Sequence, residues 1–341
     1  MATSRFASIR ARTRRRARGL RKVSGLNLLK RKIQTAKKIY GESGIAGVAA
    51  HASSIIALLF WSAVMKIYCK KNFPVYSLDG AKSLEACDFL IAVHVHLYYE
   101  DLADEFCGYL ANIPFDFDLY ISLREGVETG EIEKKFRSLR SAKNIFIQNV
   151  ENRGRDLLPF YGVFGKELAA HKYVLHVHSK KSLAVYGYER LDWRRNSMDA
   201  LCGSEDLVRK IFYLFENDGA GLVYPENYEN VHPASYSWQE NKTLGKTLLK
   251  KVGAKCPSGF FLFPAGSFFW ARTDAIRPLF DLGLGRMDFP EEAGQKNGTL
   301  AHALERAVAI VSRAQGYEDV FLDIRGQAFR SGFSPLAFRG L

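Results

Sequence analysis

The chain has 341 residues, 47% of them apolar, which is enough for a packed core and too many for a disordered chain. Its net charge of +13 suggests a nucleic-acid binder only until it is located: fourteen of the 49 Lys and Arg lie in residues 1–41, which carry no acid, and the other 35 face 36 acidic side chains. Nucleic-acid binding by the main body is therefore excluded, and five scattered cysteines without a Cys-x-x-Cys pair exclude a disulfide scaffold and a zinc finger.

Residues 1–25 are rich in Arg, and the run Arg12 to Arg18 is too long and too far from any compact apolar segment for a secretory signal, so a reducing cytoplasm is expected. From there Leu26, Leu29, Ile33, Ala36 and Tyr40 recur at helical spacing, with Lys30, Arg31, Lys32, Lys37 and Lys38 on the other faces. This predicts a basic amphipathic helix suited to an anionic membrane surface, the protein lying peripherally on the inner face. Ile45 to Met65 is long and apolar enough to be weighed as a membrane span, but Lys and Arg flank both ends; an interfacial or core-packed helix is expected instead. Pro74 and the polar stretch from Ser77 to Glu85 read as a linker. The chain thus divides into a basic extension over 1–80 and a main domain over 87–330.

Phe89 to Val95 is a continuous apolar run, the pattern of a strand buried on both faces, and Tyr98 to Asn112 follows at helical period. Strand, helix and strand are predicted again at Phe117–Ser122, Gly130–Arg140 and Asn144–Asn149. A Gly-bearing turn, Asn152-Arg153-Gly154-Arg155-Asp156, leads into a helix from Leu157 to Ala170 and a strand from Tyr173 to His178. Repeated β-α-β predicts an α/β fold with a mostly parallel, Rossmann-type sheet, whose ligands bind at the carboxyl ends of the strands. Beyond it, a helix is expected over Asp199–Asn217 and a strand over Ala220–Tyr224. Two short aromatic strands are expected around the Pro264-Ala265-Gly266 corner, and a helix over Thr299–Arg313.

The polar residues at those strand ends suit a diphosphate. Arg153, Arg155, Lys180 and Lys181 supply positive charge, Asn152, Gly154, His176 and His178 surround it, and Asp156 is placed to accept hydrogen bonds from a ribose or base. Transfer of a sugar from such a donor also needs a base for the acceptor's proton, and the cluster Asp288, Glu291 and Glu292 is the expected source, with Glu291 or Asp288 first. Gly266, Trp270 and Arg272 are expected to shape the sugar or acceptor site, with His302, Glu305 and Arg306 beside them. No cofactor is called for. His94/His96 and His176/His178 each project to one side of a strand, which leaves room for a divalent metal and for a rival reading as a metal-dependent hydrolase. The basic side chains can take a cation's place, so a metal-independent, inverting transferase is the expectation. A non-catalytic glycan-binding scaffold is the second rival.

On these residues the chain closely resembles the rhamnan synthesis protein F family of bacterial polysaccharide assembly. The likeness rests on six motifs in order: His96-Leu97-Tyr98-Tyr99; Asn152–Asp156 with Pro159-Phe160; His176-Val177-His178-Ser179-Lys180-Lys181-Ser182; Trp193-Arg194; Phe263–Arg272; and Asp288–Glu292 through Gly298–Arg306. It implies a GT-A-like glycosyltransferase moving rhamnose from dTDP-rhamnose or GDP-rhamnose to a lipid-linked glycan of the rhamnan or O-antigen type.

Overall fold

In the computed structural model, the structure describes residues 75–179 except 79 and 87, residues 191–323 except 228–230, 232–234 and 296, then 326, 328–332 and scattered positions between 37 and 73. Met1–Ala57 with Leu183–Glu189 forms a unit of its own, in which the described positions are helical. The predicted helix over Leu26–Tyr40 lies almost entirely outside the described residues. Among the described residues no helix is long and apolar enough to cross a membrane.

Among the described residues the second unit has nine strands: β1 (Val75–Ser77), β2 (Ile91–Leu97), β3 (Phe117–Arg124), β4 (Ala142–Val150), β5 (Tyr173–His178), β6 (Ala220–Pro225), β7 (Phe269–Arg272), β8 (Glu318–Leu322) and β9 (Ala328–Gly332). They form one sheet in the order β1-β9-β8-β6-β7-β5-β2-β3-β4. The pairings run seven strands one way and reverse only β7 and β9. The fold is α/β with a mostly parallel sheet flanked by helices. Every residue of β2 and β5 is buried, which is why both are apolar apart from their two histidines each: helices cover both faces and water reaches neither.

Strand alternation sorts the core into two layers. Ala92, Val174, Leu222, Phe269 and Ala271 face one layer with Phe160, Phe280 and the helix Leu300–Ala314. Ile91, Val93, Leu175, Val177 and Trp270 face the other, with the helices Ala103–Leu110 and Glu205–Asn217. By the same parity His94, His96, His176 and His178 point into the first layer.

Several elements differ from expectation. The single helix expected over Asp199–Asn217 is two, Leu191–Cys202 and Glu205–Asn217, because Ser204 caps the second by accepting from the Leu207 N–H at 3.2 Å. Leu157–Ala170 is a π-turn over Pro159–Val163 followed by a short helix, Gly165–Ala169, and Phe164 N–H donates to the Pro159 carbonyl at 3.0 Å. Pro159 has no N–H to carry a regular ladder back into the turn. Phe260 to Phe263 makes no strand: the Phe261 N–H donates to the carbonyl of loop residue Tyr236 at 2.9 Å and the Phe263 carbonyl accepts from the Ala265 N–H at 2.8 Å, a turn and a loop contact rather than a ladder. Val75–Ser77, expected at the edge of a linker, pairs antiparallel with β9. Helices Lys242–Lys251 and Thr273–Phe280 were not expected, the second being masked in the sequence by its internal Pro278.

Candidate functional site

Strand order reverses beside β2. The chain builds β2, β3 and β4 outward to one edge, then returns across the carboxyl ends of β3 and β2 to lay β5 on β2's other side. The returning segment has to pass over the strand ends, and the crevice at such a switch point is where open α/β sheets bind ligands. The segment is the Asn152–Asp156 turn.

Two left-handed residues, Gly154 at φ 61° and Arg155 at φ 58°, make the turn sharp. Arg153 is buried beneath it and fully occupied: Nε donates to Glu151 at 3.1 Å, Nη1 to the Phe289 carbonyl at 2.8 Å and Nη2 to Glu291 at 2.9 Å. It clamps the segment around Phe289 to the turn, and this corrects its expected place among the phosphate ligands. Arg155 instead lines the crevice, its Nη2 donating to the Gln295 carbonyl and its Nε 3.7 Å from the Glu292 carboxylate.

The crevice has two adjoining parts. One is bounded by Trp193, Arg194, Gly266, Ser267, His302 and Glu305; the other by His96, Tyr98, Tyr99, Asn152 and Glu292. Arg155, Asp156 and His178 face both. The Gly266 corner is held from three sides: its carbonyl accepts from His178 Nε2 at 2.5 Å, its N–H donates to Glu305 at 2.6 Å, and a Cβ there would come within 2.9 Å of Trp193.

Of the expected acids, only Glu292 reaches the crevice. Asp288 accepts from the Gly285 N–H at 2.8 Å and closes its own turn, and Glu291, with 84% of its side chain exposed, is held by Arg153. Trp270 and Arg272 are displaced further. Register pairs Leu175 with Trp270 and Tyr173 with Arg272, so both face the other core layer, toward the amino end of β5. Trp270 is fully buried against Phe212 and donates to the Leu201 carbonyl at 3.1 Å, while Arg272 pairs with Asp274 at 2.9 Å. Arg306 is turned away too, bonding the Ser237 and His302 carbonyls at 2.9 Å. Lys180 and Lys181 lie outside the described residues. His96, Tyr98, Tyr99, Trp193, Arg194 and Ser267 also line the crevice; none was assigned a place there from the sequence, although His96 entered as a possible metal ligand with His94 and all six lie within the motifs that carry the family resemblance.

The four β-strand histidines stand abreast, His94 opposite His176 and His96 opposite His178. They are wired to one another. Asp156 Oδ2 lies 3.1 Å from His176 Nε2, His176 Nδ1 2.9 Å from His94 Nδ1, His94 Nε2 3.2 Å from Ser122 Oγ, and Ser122 Oγ 2.8 Å from His96 Nδ1. Among the described residues no group of three or more His, Cys, Asp or Glu side chains is arranged to hold a metal ion. Burial would raise the Asp156 carboxyl, but His178 and the hydrogen bond from His176 outweigh it and hold the group well below the ordinary range. Burial, with His176 beside it, keeps His94 far below its ordinary value; burial against the pull of Asp156 pushes His96 down to about 4.

These shifts carry a sign. Unfolded histidines take up protons near pH 6.5, whereas folded His96 does so only near 4 and His94 well below its ordinary value, so the unfolded chain binds more protons in between. The stability they contribute is complete above pH 6.5 and is lost as pH falls through the folded values, at up to about 1.4 kcal/mol per pH unit per histidine. Urea midpoints are expected to fall steadily from pH 7 to 5 and His96→Gln to flatten the fall; a His96→Gln slope equal to the parent's would show that His96 is not held neutral.

The family model of rhamnan synthesis protein F matches residues 57–317. Two uncharacterized proteins named WxcX, from two strains of Xanthomonas campestris pv. campestris, are 34% and 33% identical over 241 residues, covering 68% of this chain and 33% of theirs. The chain spans about a third of the length of the curated relatives it matches. A crystal structure of a mycobacterial protein is 15% identical, covering 55% of this chain and 54% of that one, with a TM-score of 0.29.

Proposed function

Because the chain belongs to the rhamnan synthesis protein F family, we propose that it is an inverting glycosyltransferase, a rhamnosyltransferase, that moves the sugar of dTDP-rhamnose or GDP-rhamnose onto a growing lipid-linked glycan at the inner face of the membrane. The observation that carries this reading is the crevice at the switch point, where Arg155 and the buried carboxylate Asp156 sit side by side and open onto both of its parts. One part suits a donor and the other an acceptor. A GT-A-like reading of the fold is supported by the outward run β2-β3-β4 followed by the jump to β5, which puts the site where a nucleotide's phosphates can meet the strand ends. Attachment to an anionic leaflet is supported by the basic residues of 1–41.

In a single displacement the acceptor hydroxyl attacks the anomeric carbon as the nucleoside diphosphate leaves. Negative charge grows on the leaving group and positive charge on the sugar ring. Arg155, anchored at the Gln295 carbonyl and steered by Glu292, meets the first; the ionised Asp156 faces the second. No metal is required by this scheme. His178, Glu305 and Trp193 keep the Gly266 wall in place.

The test is transfer of labelled rhamnose from either donor to a lipid-linked oligosaccharide. Arg155→Ala is expected to weaken donor binding roughly 10- to 100-fold, as for one charge-assisted hydrogen bond, read as a lost donor-induced rise in melting temperature. Asp156→Asn is expected to keep that rise and lose turnover. If no nucleotide sugar raises the melting temperature and none is consumed, the transferase reading is wrong.

A further inference from the structure

For a neutral His176, proton counting along the buried chain from Asp156 to His96 has a single outcome. An ionised carboxylate only accepts, so His176 Nε2 carries a proton toward Asp156, and a neutral His176 then presents a bare Nδ1. The 2.9 Å contact between the two Nδ1 atoms therefore needs its proton on His94. A neutral His94 in turn has a bare Nε2, which takes the hydroxyl proton of Ser122 at 3.2 Å. Ser122 has no second proton, so its oxygen accepts at 2.8 Å from His96 Nδ1–H. His96 is left with a bare Nε2. Its ring is on the crevice wall beside Tyr98 and Tyr99.

We propose that His96 is the group that takes the proton of the acceptor hydroxyl, and that Ser122 and His94 relay it to His176, where Asp156 neutralises the charge. The step balances. The O–H bond of the acceptor breaks and a bond to His96 Nε2 forms; His96 Nδ1–H passes to Ser122, the Ser122 proton to His94 Nε2, and the His94 Nδ1 proton to His176 Nδ1. Each nitrogen along the way exchanges donor and acceptor roles without moving. One proton has entered, and the cation rests on His176 against the Asp156 carboxylate. No other placement serves as well, since burial disfavours a cation on His94 or on His96. Asp156 has the complementary part: held ionised, it is a poor proton acceptor and a good counter-ion. Both ends of the relay reach the same crevice, Asp156 directly and His96 from the neighbouring strand.

The inference rests on the transferase reading for its substrate, but the relay exists without one. Nitrogen-15 NMR of the histidines in the full chain is expected to show His96 and His94 protonated on Nδ1 and His176 on Nε2. Ser122→Ala is expected to release His96 to carry its proton on Nε2. A wild-type His96 protonated on Nε2, or one whose tautomer ignores Ser122→Ala, overturns the proposal whether or not any sugar is transferred. With donor and acceptor, His96→Gln is expected to lower kcat by about 10²- to 10⁴-fold while the donor-induced melting shift is kept. Ser122→Ala should lower kcat by about tenfold with KM unchanged, the value of one hydrogen bond. Full turnover by His96→Gln sinks the proposal and leaves the transferase standing; no donor turned over by the wild type sinks the transferase, and the tautomers then decide the relay.

Discussion

Asp319→Ala is expected to cost the folded state about 3–5 kcal/mol, the toll of leaving a charge buried without its partner. Arg313, near the end of the helix Leu300–Ala314, and Asp319, at the start of β8, are buried together. Arg313 Nε donates to Asp319 Oδ2 at 2.8 Å and its Nη2 also holds the Leu262 carbonyl at 2.8 Å, while the Tyr224 hydroxyl reaches the same carboxylate at 3.4 Å. Removing the carboxylate strands a guanidinium and a phenol in the core, and loosens the tie between the last turn of that helix and the strand after it. Measured by urea unfolding, the midpoint is expected to fall sharply with the slope unchanged. Glu133→Ala, which removes the partner of the exposed Arg137, should leave the midpoint nearly where it was. Equal effects from the two substitutions would show that the interior pair holds nothing together.

Gly154→Ala is expected to be the most damaging change at the site. The position has φ 61°, and a Cβ there would lie 2.6 Å from the Phe289 ring and 2.7 Å from Leu158 Cβ. A left-handed alanine and a forced core contact together amount to about 2–4 kcal/mol. The cost to function should exceed the cost to stability, because this turn aims Arg155 and Asp156, and a small rotation swings both from the crevice. The measurements are the thermal midpoint and donor-dependent turnover. Phe289→Leu in the same chain should return part of the stability by clearing the ring, and less of the turnover, since the backbone strain stays. If Gly154→Ala unfolds at the parent's midpoint, the close approach to Phe289 is not a real constraint.

Much of the site is legible in the sequence. β2 is buried on both faces, so the apolar run that contains it stands out, and the Gly154 turn with its flanking charges marks the return from β4 to β5. What misled was chemistry inferred from nearness in sequence. Arg153 and Arg155 are one residue apart and look interchangeable, yet one is turned inward to hold Phe289 and Glu291, the other outward to the crevice. Asp288, Glu291 and Glu292 formed one cluster on paper, and only the last faces the site. Trp270 lies in the same aromatic segment as Gly266 and ends on the opposite side of the sheet.

The sequence by itself determined the α/β alternation, the mostly parallel sheet and the parity that sends His94, His96, His176 and His178 to one face, because burial pattern and side-chain alternation are local properties of a strand. The tertiary structure alone decided which strands lie side by side. Laying β5 against β2 puts His176 opposite His94 at hydrogen-bonding distance, and the reversed β7 turns Trp270 away from the crevice. Partners far apart in the chain meet through register, and register is settled by how the whole sheet packs, so no short window of residues contains it.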